Sequence, residues 1–263
     1  MPVFKKRHMR LERKTPEQIE KMRRAGAVVA NTLATLREAA VAGITTAELD
    51  AIAEREIRAA GAIPSFKGYH GFPGSICASV NDVIVHGIPD DTVLGDGDTI
   101  SIDCGAILDG WHGDSAITVP IGTVRPEILE LSRVCEQSMW AGIEAAVAGG
   151  RLTDISNAIE KSIRSNPLPG GARYGIVEDF GGHGIGTEMH QDPHLLNYGP
   201  AGRGPRLEVG VCLAVEPMVT LGKPDTYTLA DEWTVKTTAG GHAAHWEHSI
   251  AITEDGPVVL TRP

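Results

Sequence analysis

Residues 99–120 read TISIDCGAILDGWHGDSAITVP, and the register of this stretch decides what the rest of the chain is built around. Asp109-Gly110 is the kind of dipeptide best suited to a two-residue type I′ turn, whose two central residues both need positive φ. Such a turn sets Leu108 opposite Trp111, Asp103 opposite Ala116 and Gly105 opposite Asp114. Side chains alternate faces along a strand. One face of the first strand then carries Ile100, Ile102, Cys104, Ala106 and Leu108. The other carries Thr99, Ser101, Asp103 and Gly105, matched across the ladder by His112, Asp114, Ala116 and Thr118. Asp103 and Asp114 become diagonal neighbours within reach of a shared site. Gly105, opposite Asp114, leaves room above the sheet. Two carboxylates so close repel, and one resists ionising unless a cation lies between them. The hairpin alone is equally consistent with two solvated aspartates on an exposed face.

Composition narrows the alternatives. A chain of 263 residues at 42% hydrophobic can bury a sizeable core as one domain or two intimate halves. A net charge of −10 argues against DNA or other nucleic acid as the main partner. No run of 18 apolar residues is present, so no membrane span is expected. The first 14 residues, MPVFKKRHMRLERK, are basic but lack the apolar centre of an export signal, which makes a cytoplasmic location the default. Residues 1–14 read as a mobile basic arm, or as a segment that docks electrostatically on an acidic surface such as ribosomal RNA. Cys77, Cys104, Cys135 and Cys212 show no CxxC spacing, so free thiols are expected.

Outward from the hairpin, Thr15-Pro16-Glu17-Gln18 has the form of a capping box with Pro at the first helical position. It predicts a helix to about Val41, stopped at Gly43. A second helix follows Thr45-Thr46 and ends near Gly61. Residues 38–43 and 144–149 both read EAAVAG, and at the same spacing Leu49, Glu54, Ile57 and Arg58 recur as Ile155, Glu160, Ile163 and Arg164. Two related halves, each of helices followed by strands, account for the echo. Strand-like runs follow at 209–221, 232–238 and 244–253. Runs of helices and runs of strands, without strict alternation, indicate an α+β fold. With no linker in view, the chain reads as a single domain over 15–263.

Three later segments add acid and imidazole groups: Gly181-Gly182-His183-Gly184-Ile185-Gly186, Glu216-Pro217-Met218 and Trp246-Glu247-His248. His86 and His190 contribute two more rings. Glycines beside His183 would let the backbone come close to whatever the ring binds. Asp103, Asp114, His183, Glu216 and Glu247 together form a mostly oxygen ligand set with one nitrogen. That set suits Mn²⁺, Fe²⁺ or Co²⁺ and is unlike a structural zinc site. Two bridging carboxylates would hold two ions about 3.5–4 Å apart, an arrangement used for hydrolysis.

At this point the chain resembles a known family. GYHGFPGSICASVNDVIVHGIP, IDCG, DGWHGDSA, GGHGIG, EPM and WEHS are similar, in order, to the signature of the type I methionine aminopeptidases. The resemblance runs from about Thr15 to the end. It implies the pita-bread fold, an α+β pseudo-two-fold repeat with a central curved antiparallel sheet flanked by helices, and a single catalytic domain over 15–263. It implies two divalent metal ions per chain, drawn from Co, Mn, Fe, Zn and Ni, held by Asp103, Asp114, His183, Glu216 and Glu247, with Asp114 and Glu247 as bridges. His86 and His190 match the imidazoles that contact substrate, and Tyr69, Phe72, Cys77, Met189 and Trp233 match the methionine pocket. A thioether suits such aromatic and sulfur-lined walls. Phe66 and Met189 stand where many bacterial relatives have Cys and Phe, which alters the fine shape of that pocket. The implied activity removes an N-terminal Met from nascent polypeptides whose second residue is small. Glu216 would take and return the proton, His190 would stabilise the developing oxyanion and His86 would hold the peptide backbone. A monomer meeting nascent chains, with transient ribosome contact through the arm, is expected. The rival readings are a proline-specific pita-bread peptidase and a pita-bread protein that binds without catalysis.

Overall fold

The computed structural model describes residues 11–262. Positions 1–10 of the basic arm lie outside the described residues, and so does the ribosome contact expected of them. Residues 11–14 correct the boundary drawn at residue 14. Leu11 and Lys14 are buried, the Lys14 amide donates to Gly210 O at 2.7 Å, and Lys14 Nζ donates to Gln191 Oε1 at 2.9 Å. A buried ammonium is tolerated there because it has that acceptor and Glu12 at 3.5 Å.

Two helices begin as the capping residues require. Helix α1, Pro16–Ala39, starts where Thr15 and Gln18 satisfy each other's amides, and α2, Thr46–Ala59, starts on the same exchange between Thr45 and Glu48. The echo in the sequence proves structural. Helix α3 is Pro126–Ala145 and α4 is Leu152–Arg164, so each half opens with a helix pair at matching positions. All four helices contribute to one apolar core with Ile100, Ile102, Cys104 and Ala106 of the first hairpin strand. Helix α1 reaches the second hairpin strand through glycine: a Cβ on Gly113 would lie 2.6 Å from Gly26 N and 2.7 Å from Gly26 Cα.

The hairpin has the expected register. Strands Thr99–Leu108 and Trp111–Pro120 pair Asp103 with Ala116 and Gly105 with Asp114, and Asp109 and Gly110 both have positive φ, 52° and 79°. These strands belong to a nine-stranded antiparallel sheet. Outward from the centre, Trp111–Pro120 is followed by Thr99–Leu108 and then Ile76–Val80, while Glu247–Thr253 is followed by Cys212–Val215 and then Gly182–Gly184. The two sides have the same plan, as a two-fold repeat demands.

All three expected strand runs differ from what forms, and two of them divide. The run 209–221 divides into Cys212–Val215 and Met218–Thr220, and the run 244–253 divides into Ala243–His245 and Glu247–Thr253. Pro217 has no N–H to continue a ladder. At that point both segments leave the large sheet together and pair again, Met218 opposite His245, in a three-stranded sheet with Gly175–Ile176. The third run contracts to Val235–Thr237. Glu216, His245 and Glu247 therefore lie where two sheets meet.

Candidate active site

All twelve residues singled out from the sequence line one cavity of about 270 Å³. They arrive from different elements. Asp103 and Asp114 come from the hairpin face turned away from the helices. His183 is the middle residue of Gly182–Gly184, which lies beside Cys212–Val215. Its glycines serve the neighbouring strands and not a ligand, which corrects the sequence reading: a Cβ on Gly182 would strike Ala214 O, and one on Gly184 would strike Asp192 O. The space above Gly105 is also already taken, since a Cβ there would lie 2.8 Å from Ser65 Cβ and 2.9 Å from Phe66 Cε1.

The acid groups are sunk in the protein. Asp114 is 4% exposed, and Glu216 and Glu247 are also buried, so the exposed-face alternative for the hairpin fails. Burial pushes the Asp103 carboxyl up to about 7. Burial first, and then Asp103 and Glu216, hold the Asp114 carboxyl well above its ordinary range. Glu216 is raised by burial, and Glu247 by burial and then by Asp114. His183 Nδ1–H donates to Gly184 O at 2.9 Å, which leaves Nε2 as the acceptor. Burial pushes this imidazole down to about 3, so its lone pair stays free. It faces Glu216 Oε1 at 3.3 Å and Asp114 Oδ2 at 3.9 Å.

Asp103 Oδ1, Asp114 Oδ1 and Glu247 Oε1 are buried with no hydrogen-bond partner. Unsatisfied buried carboxylate oxygens are costly, and a cation among them removes the cost. Asp114, His183 and Glu247 can each offer one ligand atom within 4.8 Å of the others. The donor set fits a divalent metal.

Known proteins similar to this chain agree with this chemistry. The model of metallopeptidase family M24 matches residues 20–254. The chain belongs to metallopeptidase family M24. Within that family it falls among the type I methionine aminopeptidases and has their pita-bread fold. It is 54% identical to methionine aminopeptidase 1 of Mycobacterium tuberculosis over 93% of this chain and 92% of that one. It is 50% identical to methionine aminopeptidase 1 of Bacillus subtilis, over 95% and 98%. The crystal structure of methionine aminopeptidase from Rickettsia prowazekii superposes with a TM-score of 0.92 at 38% identity, covering 96% of this chain and all of that one.

In this M24 enzyme an apolar wall adjoins the acid cluster. Phe66, Phe72, Cys77 and Met189 pack together, with Tyr69 and Trp233 against them. Trp233 is presented by a turn that Asp231 closes, its carboxylate accepting from the amides of Trp233 and Thr234 at 2.9 and 2.8 Å, and the indole meets Phe72 edge-on at 5.1 Å. Tyr69 Oη lies 2.8 Å from His190 Nδ1, and the His190 ring is 4.4 Å from that of His183. His86 has φ of 58° and sits edge-on to Phe180 at 5.4 Å. Gly87 beside it bonds back to Ala78 and Ser79. Burial pushes His86 down to about 4, so it is neutral at pH 7.

The cavity also holds a histidine beside the acid cluster that was not singled out from the sequence. His245 is 2% exposed and groups with Glu216 and Glu247 as donors within 4.8 Å of one another. The signal was present: His245 and Glu247 are two apart in a strand-like run, so they share a face. Among the described residues no helix is long and apolar enough to cross a membrane.

Proposed function

We propose that this enzyme removes N-terminal methionine from nascent proteins and peptides with a small second residue, using two divalent ions held by Asp103, Asp114, His183, Glu216 and Glu247. The observation that carries this reading is the single cavity in which an apolar, sulfur- and aromatic-walled pocket adjoins the buried carboxylates. A thioether side chain fits the first part. The second part fits the amine and scissile carbonyl of a chain end.

When bound, the ions lower the pKa of water and polarise the carbonyl; Co, Mn, Fe, Zn and Ni all suit the donors, and availability decides among them. Glu216 takes the proton from the attacking water and passes it to the leaving amine. Tyr69 donates its hydroxyl proton to His190 Nδ1. The remaining proton is then on Nε2, ready for the carbonyl oxygen as it becomes negative. Burial raises the Tyr69 pKa, so the phenol keeps the proton it donates. His86, neutral and wedged between Phe180 and Trp233, hydrogen-bonds the peptide backbone. The enzyme works as a cytoplasmic monomer on emerging chains, and the basic residues 1–10 supply a transient ribosome contact.

The test is hydrolysis of Met-Gly peptides by protein stripped with chelator and reconstituted with Mn²⁺ or Co²⁺. Activity should vanish in chelator and return with metal. Cleavage of Xaa-Pro dipeptides in place of Met-Gly would support the proline-specific reading, and no hydrolysis of either would leave a binding protein.

A further inference from the structure

Glu216 lies between two imidazoles. Its Oε1 faces His183 Nε2 at 3.3 Å, and its Oε2 faces His245 Nε2 at 3.5 Å. His245 Nε2 is also 4.0 Å from Glu247 Oε2, and it is buried with no hydrogen-bond partner. The backbone that carries the ring is held on both sides beside the Glu216 carboxylate. The His245 amide donates to Thr118 Oγ1 at 3.1 Å, and Thr118 Oγ1 donates to His245 O at 2.9 Å.

The spacing distinguishes two roles. A hydrogen bond from imidazole to carboxylate closes to about 2.7–2.9 Å, and 3.5 Å is too long for one. Two donors on one ion, each with a bond of about 2.1 Å, are separated by roughly 3.5 Å at a tetrahedral angle. The 3.3 Å between His183 and Glu216 has the same character. From this we infer that His245 is a sixth metal-binding residue, giving the second ion its own nitrogen donor through Nε2 while Glu216 spans both ions, one oxygen beside each imidazole. The inference rests on the two-ion reading above and changes its donor set from one nitrogen to two. A second nitrogen shifts the site's preference towards ions that favour imidazole.

The experiment uses the full chain, freed of metal and titrated with Co²⁺, read by calorimetry and by proton NMR of the paramagnetically shifted, exchangeable imidazole N–H signals. With two Co²⁺ bound, the unaltered protein should show two such signals, one from His183 and one from His245. His245→Gln should remove one signal and weaken the second Co²⁺ by roughly 10-fold or more, the scale of loss when a metal site's support is removed, with the first Co²⁺ unchanged. His183→Gln should remove the other signal. A single shifted N–H signal with two Co²⁺ bound to the unaltered protein would overturn the assignment without touching the two-ion reading, and it needs no variant to fold. So would a His245→Gln protein that keeps both signals and both affinities. Binding of fewer than two Co²⁺ by the unaltered protein would remove the two-ion reading, and the assignment with it.

Discussion

Tyr69→Phe tests how His190 is prepared for its role. The substitution keeps the ring in the pocket wall and deletes only the hydroxyl that lies 2.8 Å from His190 Nδ1. Without that donor, His190 is free to carry its proton on Nδ1, and the Nε2–H aimed at the carbonyl oxygen is no longer enforced. One hydrogen bond of this kind contributes a net ~0.5–1.5 kcal/mol, and each ~1.4 kcal/mol is a tenfold change in rate. kcat on a Met-Gly peptide should therefore fall roughly 2- to 13-fold, with KM little changed because the apolar contact survives. Removing the ring itself, in His190→Ala, forfeits an oxyanion donor and should cost about 2.7–4 kcal/mol. The decisive assay is the double-mutant cycle. If Tyr69 acts through His190, Tyr69→Phe should cost nothing further once His190 is Ala. Equal losses from Tyr69→Phe in both backgrounds would refute the coupling and leave Tyr69 as pocket wall only.

Two further outcomes concern the scaffold. Gly113→Ala should destabilise the fold by about 1–3 kcal/mol in a urea titration, the scale of overpacking, because its Cβ would meet helix backbone at Gly26; an unchanged midpoint would show that α1 can retreat. His112, bonded through Nδ1 to Ser65 Oγ at 3.0 Å, is pushed by burial down to about 4 from 6.5. Unfolding therefore takes up a proton below pH 6.5, so its contribution is intact above that pH and is lost as pH falls towards 4. In metal-free protein, His112→Gln should lose less stability than the unaltered chain between pH 7 and pH 5, by roughly 1–2 kcal/mol. Parallel pH profiles would count against a neutral buried His112.

What the sequence disclosed follows from how local each signal is. The hairpin register was legible because Asp109-Gly110 admits one turn geometry, and a slip of one residue would bury the wrong face. The helix starts were legible because Thr15/Gln18 and Thr45/Glu48 satisfy one another within a single turn. The division of 209–221 and 244–253 was not, because it depends on two segments distant in sequence leaving one sheet together. His245 stands two residues from Glu247, but that spacing alone did not mark it. Its meaning depends on Glu216, which reaches it only across that corner. The room above Gly105 was misjudged because Ser65 and Phe66, which fill it, come from a loop about forty residues earlier.

The pseudo-symmetry explains why the site binds along its axis and discriminates away from it. Strands Trp111–Pro120 and Glu247–Thr253 run side by side with Ser115 opposite His248. A half-turn through that pair carries Asp114 onto Glu247, which suits both residues to bridge two ions. Away from the axis the halves diverge. Ala214 pairs with Ser249 on one side, as Asp103 pairs with Ala116 on the other, so Asp103 has an alanine as its counterpart. His183 lies opposite Ala214 and Cys77 opposite Asp103, so the ligand imidazole of one half is matched by a pocket thiol in the other. Continuing the same register sets Glu216 against Gly105, the glycine that admits Ser65 and Phe66. At these three positions the second half supplies an imidazole and a carboxylate, and the first supplies one carboxylate, a thiol and the gap that Phe66 enters. The proposed thioether pocket lies where the symmetry is broken, so changes at Phe66, Cys77 or Met189 should move side-chain preference while leaving the metal stoichiometry unchanged.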